Sequence, residues 1–200
     1  RLHRCVSLSV WLAASDVLKG KVVGVADRLY KPARKEDTQH YLKSLPGDEA
    51  VLWLGLGSNV LIRDGGVRGS VINTRGCLKQ MQETTNGLLK VEAGVPCALV
   101  AKLAAEKGLS GAEFLAGIPG TMGGALAMNA GAFGGETWGL VNKVLLLNRK
   151  GELIERKPNE FDIAYRSVSL AADEWFVACY LDLPSGGNEE GREKIRQLLA

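Results

Sequence analysis

The chain has 200 residues, of which 46% are hydrophobic, enough to bury the core of one domain, or of one domain and part of another. Its formal charge is only +3, from 25 basic and 22 acidic residues that form no basic stripe interleaved with aromatics, which argues against a nucleic-acid-binding protein. Glycine occurs 25 times without a fixed period, which excludes a collagen-like protein and leaves tight turns and ligand loops.

The cysteines and histidines offer no clear metal site. The candidate ligands are Cys5, Cys77, Cys97, Cys179, His3 and His40. They are widely spaced and include no CxxC pair, so neither a zinc site nor an iron–sulfur cluster is expected. Isolated reduced cysteines, together with the lack of a signal-peptide pattern in residues 1–20, predict a cytoplasmic protein.

Hydrophobic periodicity predicts alternating strands and helices in the first half of the chain. Strands are predicted at 21–30, 51–54, 60–63 and 70–73, and a helix at 35–45. The helix is closed by Pro46-Gly47, and the strand 51–54 runs directly into the segment GLGSN. This part of the chain therefore contains a tight glycine loop between β-structure.

The second half continues the same mixture of short elements. It is predicted to contain strands at 88–93 and 175–183, a helix from Pro96 to Gly108, a β-hairpin of 144–148 and 152–156, and a last helix beginning after 184–187. Short, closely spaced helices and strands of this kind predict an α+β fold.

Residues 117–135 read GIPGTMGGALAMNAGAFGG, with seven glycines in nineteen residues. One interpretation is a membrane helix with a GxxxG pair at Gly120 and Gly124, but Pro119 and the lack of basic or aromatic flanks disfavour it. A loop that only packs against a sheet is a second interpretation. The favoured one is a cofactor cradle, because glycine lets backbone N–H groups turn toward an anion and approach it closely.

Neither glycine loop matches a standard phosphate motif. GLGSNV has Val60 where GxGxxG requires its third glycine, and the run at 117 lacks the Gly-Lys-Ser/Thr ending of a P-loop. The loops 55–59 and 117–124 still have enough backbone donors to hold two linked phosphates from opposite sides. The hydroxyls of Ser58 and Thr121 and the amides of Asn59 and Asn129 would add donors.

Three segments, in this order and at these distances, carry a family resemblance. GLGSN at 55–59, GIPGTMGGALAMNAGAFGGE at 117–136 and the triplet at 165–167 resemble the FAD-binding domain of the UDP-N-acetylenolpyruvoylglucosamine reductase (MurB) family. The resemblance covers roughly residues 24–200, and the second segment is long and specific. It implies an α+β, two-subdomain FAD-binding fold of the vanillyl-alcohol oxidase and para-cresol methylhydroxylase type.

The resemblance also implies a domain division. Residues 1–21 would be an atypical N-terminal segment and 22–185 the FAD-binding domain. Residues 186–200 would be a linker helix or the truncated start of a C-terminal substrate domain.

Site residues follow from the same resemblance. The positions expected to bind FAD, non-covalently, are Gly55, Gly57, Ser58, Asn59, Ile118, Pro119, Gly120, Thr121, Gly123, Gly124, Asn129, Gly131 and Ala132. Arg166 matches the family's catalytic arginine. Tyr165 beside it is either core packing or a wall of the substrate site, and Val168 stands where the family usually has serine.

The activity implied is reduction of a small-molecule sugar nucleotide for peptidoglycan synthesis. In the family, NADPH reduces FAD, and hydride then passes to the enolpyruvyl group to give UDP-N-acetylmuramate. A guanidinium suits the charge that develops on the adjacent carboxylate. Because the family's proton-delivering groups lie in the substrate domain, this chain is expected to be weakly active or inactive. Alternatives are a non-catalytic FAD-binding module and an FAD-dependent alcohol or aldehyde oxidoreductase on the same fold.

Overall fold

Two β-sheets that share no strand form the framework of the protein. The computed structural model describes residues 10–11, 25–62 and 65–200. Most of the atypical segment 1–21, the start of the strand predicted at 21–30, and residues 63–64 therefore lie outside the described residues.

The first sheet has four strands and one covering helix. In chain order these are β1 (Val10–Trp11), β2 (Val25–Tyr30), α1 (Lys35–Ser44), β3 (Val51–Leu54) and β4 (Val67–Asn73). The strand order is β1-β2-β4-β3, with β2 and β3 parallel to β4 and β1 antiparallel to β2. Helix α1 crosses between the parallel strands β2 and β3 and buries Leu42, while the rings of Tyr30 and Tyr41 stack with centroids 3.9 Å apart.

The second sheet is antiparallel and has five strands in the order β10-β9-β13-β6-β5. Its strands are β5 (Met81–Glu83), β6 (Leu89–Glu92), β9 (Val141–Asn148), β10 (Leu153–Arg156) and β13 (Glu174–Leu181). Helices α2 (Cys97–Glu106) and α3 (Met122–Ala127) contribute Val100 and Leu126 to the large core that this sheet covers. This core fixes the glycine-rich run against the sheet.

Two small hairpins flank α3. The first pairs β7 (Gly131–Ala132) with β8 (Gly135–Glu136), and the second pairs β11 (Ile163–Ala164) with β12 (Ser167–Val168). In the first hairpin both turn residues, Phe133 and Gly134, have positive φ, as a type I′ turn requires.

The two sheets meet through apolar packing and through hydrogen bonds. Buried Tyr41 and Leu42 from the first subdomain pack in one cluster with Leu147 and Val177 from the second. The side chain of Arg149 donates to backbone carbonyls of the loop that joins α1 to β3. The cavity described below lies at this boundary.

Most predicted elements are confirmed, with one clear exception. The prediction of a strand at 60–63 is wrong for residues 60–62, which form no strand. Leu61 is 74% exposed. The predicted strand at 70–73 begins earlier, at Val67. The glycine loop after β3 turns the chain outward, and strand pairing resumes only at Val67, where β4 begins.

The last helix, α4 (Asn188–Leu199), packs against α2, on the core of the second sheet. Gly191 lies against Ala105 of α2, and Ile195 packs against the main core cluster. Across 10–11, 25–62 and 65–200 there is no helix with the length and apolar character needed to cross a bilayer, and no group of three or more metal-binding side chains.

Candidate cofactor site

A cavity of about 460 Å³ lies between the loop that follows β3 and the glycine-rich run. Eleven of the residues singled out from the sequence line it: Gly55, Gly57, Ser58, Asn59, Ile118, Pro119, Gly120, Thr121, Gly124, Gly131 and Arg166. The fold thus brings together three segments that are far apart in the sequence.

Close contacts between the two loops explain two of the glycines. A Cβ atom on Gly55 would lie 2.5 Å from Thr121 Oγ1, and one on Gly120 would lie 3.2 Å from Ser58 Oγ. Larger residues at either position would push the loops apart. The side-chain amide of Asn59 also donates to the sulfur of Met128 at 3.3 Å, which adds a third link across the cavity.

Backbone donors are not equally available in the two loops. The amides of Met122 and Gly123, at the start of α3, donate to Val95 O at 2.9 Å and to Ala93 O at 2.8 Å. These two amides therefore do not face an anion, contrary to the expectation for the glycine-rich run.

The first loop offers donors that protein groups do not occupy. Gly57 has φ +67°, which only glycine adopts freely, and this bends the loop so that successive amides follow one another around the turn. Within the part of the chain that is described, no acceptor pairs with the amides of Gly57, Ser58 and Asn59. Such a set of consecutive N–H groups suits a phosphate.

A second cavity, of about 370 Å³, adjoins the first and shares Trp53, Gly55, Thr121, Gly124 and Ala127 with it. Two buried polar atoms at this cavity, Trp53 Nε1 and Glu174 Oε2, have no hydrogen-bond partner among the described residues. The other carboxylate oxygen of Glu174 accepts from Arg156 at 2.7 Å.

Unpaired buried donors and acceptors cost free energy. Both atoms are buried from solvent, so they lie behind the cavity surface and do not face a ligand. The sequence offered no signal for Glu174, whereas Trp53 lies two residues before the first loop.

Arg166 lies at the tip of the β11–β12 hairpin and lines the larger cavity. Its φ of +53° is unusual for a residue with a side chain and costs backbone energy that glycine would not require. Such strain is typical of functional positions. Tyr165 beside it is 82% exposed, so it does not pack in the core that the described residues form.

The remaining predicted positions do not line the larger cavity. Gly123 is held against Ala93 and lines the adjoining cavity instead, and Ala132 belongs to β7. Asn129 is only 3% exposed, and its side chain is bonded within the protein.

The larger cavity is almost neutral. Arg166 is the one charged residue among the described residues that line it, and these residues include no carboxylate, histidine, lysine or thiol. The site can hold an anion and place a fixed positive charge, but the described residues of its lining supply no group that exchanges a proton near neutral pH.

Comparison with known proteins agrees with this architecture. A family model described as FAD binding domain matches residues 26–156. The chain is 55% identical over 180 residues to UDP-N-acetylenolpyruvoylglucosamine reductase of Legionella pneumophila (strain Corby), a match that covers 90% of the chain and 58% of that protein. It is 53% identical to the reductase of the same name from Methylococcus capsulatus, covering 90% of the chain and 59% of that relative. The chain thus spans less than two thirds of the length of these relatives.

Solved structures show the same fold. The reductase of the same kind from Thermus caldophilus superposes with a TM-score of 0.75 at 29% identity, covering 88% of this chain and 62% of that one. Alkyldihydroxyacetonephosphate synthase, which has the vanillyl-alcohol oxidase type of fold, superposes with a TM-score of 0.59 at 13% identity, covering 81% of this chain and 32% of that one. The expected two-subdomain fold is therefore confirmed. The chain belongs to the FAD binding domain family, and the relatives it matches are UDP-N-acetylenolpyruvoylglucosamine reductases.

Proposed function

We propose that this chain binds FAD non-covalently across the two adjoining cavities. The observation that carries the proposal is their shared wall at Gly55, Thr121 and Gly124, next to the unpaired amides of the first loop. A dinucleotide has two flat ring systems joined by a pyrophosphate. Two compartments joined at an amide-rich loop match that shape.

The two compartments differ in a way that assigns the two ends of FAD. The larger contains Arg166 and suits the flavin, which must lie next to the reacting substrate. The smaller is lined in large part by apolar and aromatic side chains, including Leu52, Trp175 and Phe176, and suits the flat adenine ring. The residues present therefore fit the cofactor at both ends.

We further propose that the protein functions as a flavin-dependent UDP-N-acetylenolpyruvoylglucosamine reductase, with NADPH as reductant and peptidoglycan precursor synthesis as its role. When bound, FAD supplies hydride to the carbon–carbon double bond of the enolpyruvyl group. Arg166 places a permanent guanidinium charge where the adjacent carboxylate gains negative charge. The names of the similar reductases support this class over an alcohol or aldehyde oxidoreductase.

The reaction also needs a proton at the neighbouring carbon, and the described lining residues contain no suitable donor. We therefore expect this 200-residue chain alone to bind FAD more readily than it turns over substrate. We also propose a cytoplasmic location, which the free thiols of Cys77, Cys97 and Cys179 support.

The test is an FAD titration with one matched pair of variants. Gly124 lines both cavities, and a Cβ there would have only Thr121 Oγ1 within 4 Å, at 3.9 Å. Gly124→Leu should therefore fill the site without straining the fold and weaken FAD binding at least tenfold in equilibrium dialysis. Gly139→Leu is the control, because nothing lies within 4 Å of its Cβ position. Absence of FAD binding by the folded wild-type chain, or equal binding by both variants, would refute the proposal.

A further inference from the structure

We infer that Asn129 is a positioning residue that holds the Arg166 hairpin onto the glycine-rich run. The inference rests on the proposed function, in which Arg166 faces the flavin. It gives Asn129 a role different from direct cofactor binding.

The side chain of Asn129 uses both of its amide hydrogens and its carbonyl oxygen within the protein. Its Nδ2 donates to Glu136 Oε2 at 2.9 Å and to Ala164 O at 3.3 Å, and its Oδ1 accepts from the backbone amide of Trp138 at 3.2 Å. With these groups engaged and only 3% of the residue exposed, no donor remains for a ligand.

These bonds tie together three separate pieces of the site. Glu136 belongs to β8, Trp138 lies in the short turn that follows it, and Ala164 is the last residue of β11, two positions before Arg166. Asn129 itself lies two residues after the end of α3 and has φ +43°. Asparagine tolerates that backbone better than most residues with side chains.

The hairpin that carries Arg166 is anchored mainly at its base. Its strands pair Ile163 with Val168 and Ala164 with Ser167, and bonds between Asp162 and Ser169 continue the pairing away from the tip. Within the described part of the chain, the bond from Asn129 to Ala164 is the one hydrogen bond that joins residues 163–168 to another element. Ile163 and Val168 pack the base of the hairpin against the core, so the bond to Asn129 is what fixes its tip, where Arg166 lies.

A double substitution can remove the bond to Ala164 while keeping the bonds that hold the loop around Asn129. In Asn129→Asp, two carboxylates would face each other at the 2.9 Å contact with Glu136. Adding Glu136→Gln restores that contact with donor and acceptor exchanged, and the introduced carboxylate still accepts from the Trp138 amide. An ionised carboxylate cannot donate to Ala164 O, so only the link to the hairpin is lost.

The readout is the visible absorption spectrum of bound FAD, together with hydrogen exchange. Arg166→Ala defines the spectral change caused by loss of the guanidinium. We expect the N129D/E136Q protein, saturated with FAD, to show the same spectrum as R166A. The triple variant N129D/E136Q/R166A should show no further spectral change. Amide exchange in residues 163–168 should rise at least tenfold, while that of 117–127 stays as in wild type.

Thr137→Val is the matched control, because Thr137 Oγ1 supports the same loop through Ala130 O at 2.6 Å but does not bond to the hairpin. It should keep the wild-type spectrum. If the double variant does not fold, Asn129→Gly serves in its place, since glycine accepts the positive φ and removes the whole side chain.

The outcomes distinguish the two proposals. A wild-type spectrum in N129D/E136Q, with R166A still shifting it, would overturn the role of Asn129 alone. Failure of the wild-type chain to bind FAD, or identical spectra for wild type and R166A, would overturn the proposed function and this inference with it.

Discussion

Thr121 Oγ1 lies 2.5 Å from the point that a Cβ atom on Gly55 would occupy. The two residues belong to different loops and come from different subdomains, so this contact sets how closely the two halves of the site approach. Gly55→Ala should destabilise the protein by about 1–3 kcal/mol through overpacking and weaken FAD binding. Chemical denaturation and FAD titration measure the two effects.

A second substitution makes this prediction stringent. In Gly55→Ala/Thr121→Ala the offending hydroxyl is gone, and the nearest remaining atom of residue 121 is its Cβ at 3.6 Å, an ordinary contact. The double variant should therefore recover most of the lost stability. If it remains as unstable as the single variant, the contact is not the cause. Gly47→Ala, with nothing within 4 Å, is the neutral comparison.

Arg166 should lower stability while it supports function. Since its φ is +53°, Arg166→Gly should raise the free energy of unfolding by about 1 kcal/mol. The same change removes the guanidinium and should lower any reductase turnover by about 100-fold or more. Arg166→Lys keeps a charge but not the fork, so it should stay impaired without gaining stability. Loss of stability in the glycine variant would contradict the strain assigned to this residue.

The smaller cavity predicts a preference between flavin cofactors. If adenine occupies it, FMN, which lacks the AMP half of FAD, should bind at least tenfold more weakly than FAD. Ala171 lines this cavity and not the larger one, so Ala171→Leu should narrow the FAD-to-FMN ratio by weakening FAD alone. An unchanged ratio would remove adenine from this cavity. Equilibrium dialysis with both flavins gives the ratio directly.

Arg149 links the two subdomains and should therefore contribute to the stability of the fold. Its guanidinium donates to Pro46 O at 2.8 Å and also to the carbonyl of Glu49, and it lies 3.5 Å from Asp173. Arg149→Lys cannot satisfy several carbonyls at once, so it should cost about 2–4 kcal/mol of stability. The exposed neighbour Lys150 provides the control: Lys150→Ala should change the free energy of unfolding by less than about 0.5 kcal/mol.

The buried thiols predict a loss of stability at alkaline pH. Burial raises the pKa of Cys97 from 9.0 to about 12, and burial also raises the pKa of Cys179. Above pH 9 the unfolded chain releases these protons while the folded chain keeps them. Stability should then fall by about 1.4 kcal/mol per pH unit for each thiol. Cys97→Ala should remove one such contribution from the slope between pH 9 and 11, measured by urea unfolding, and an unchanged slope would contradict the prediction.

The sequence could predict the periodic elements and the glycine loops, but not how the loops are used. Amphipathic periodicity is a local signal, and it located α1, α2 and the β9–β10 hairpin well. The apolar residues Val60 and Leu61 resembled a strand by the same signal. They are exposed because the turn after β3 faces them outward, which is a tertiary effect.

Long-range contacts account for what the sequence did not show. No local pattern indicates that the amides of Met122 and Gly123 are taken by carbonyls that precede α2 in the chain. The same holds for Glu174, which lines a cavity formed in part by β3 and the loop after it, in the other half of the chain. Arg166 was identified only because its surrounding triplet matched a family motif.

The two sheets share no strand, and the proposed cofactor lies where they meet. A ligand at such a boundary binds the folded pair and not either half, so occupancy adds to the free energy of unfolding: about 2.7 kcal/mol at a concentration 100 times the dissociation constant. In a cell, protein that has lost FAD would unfold more often and be degraded sooner. The supply of riboflavin would then set how much of the protein persists, and not only how much of it is active.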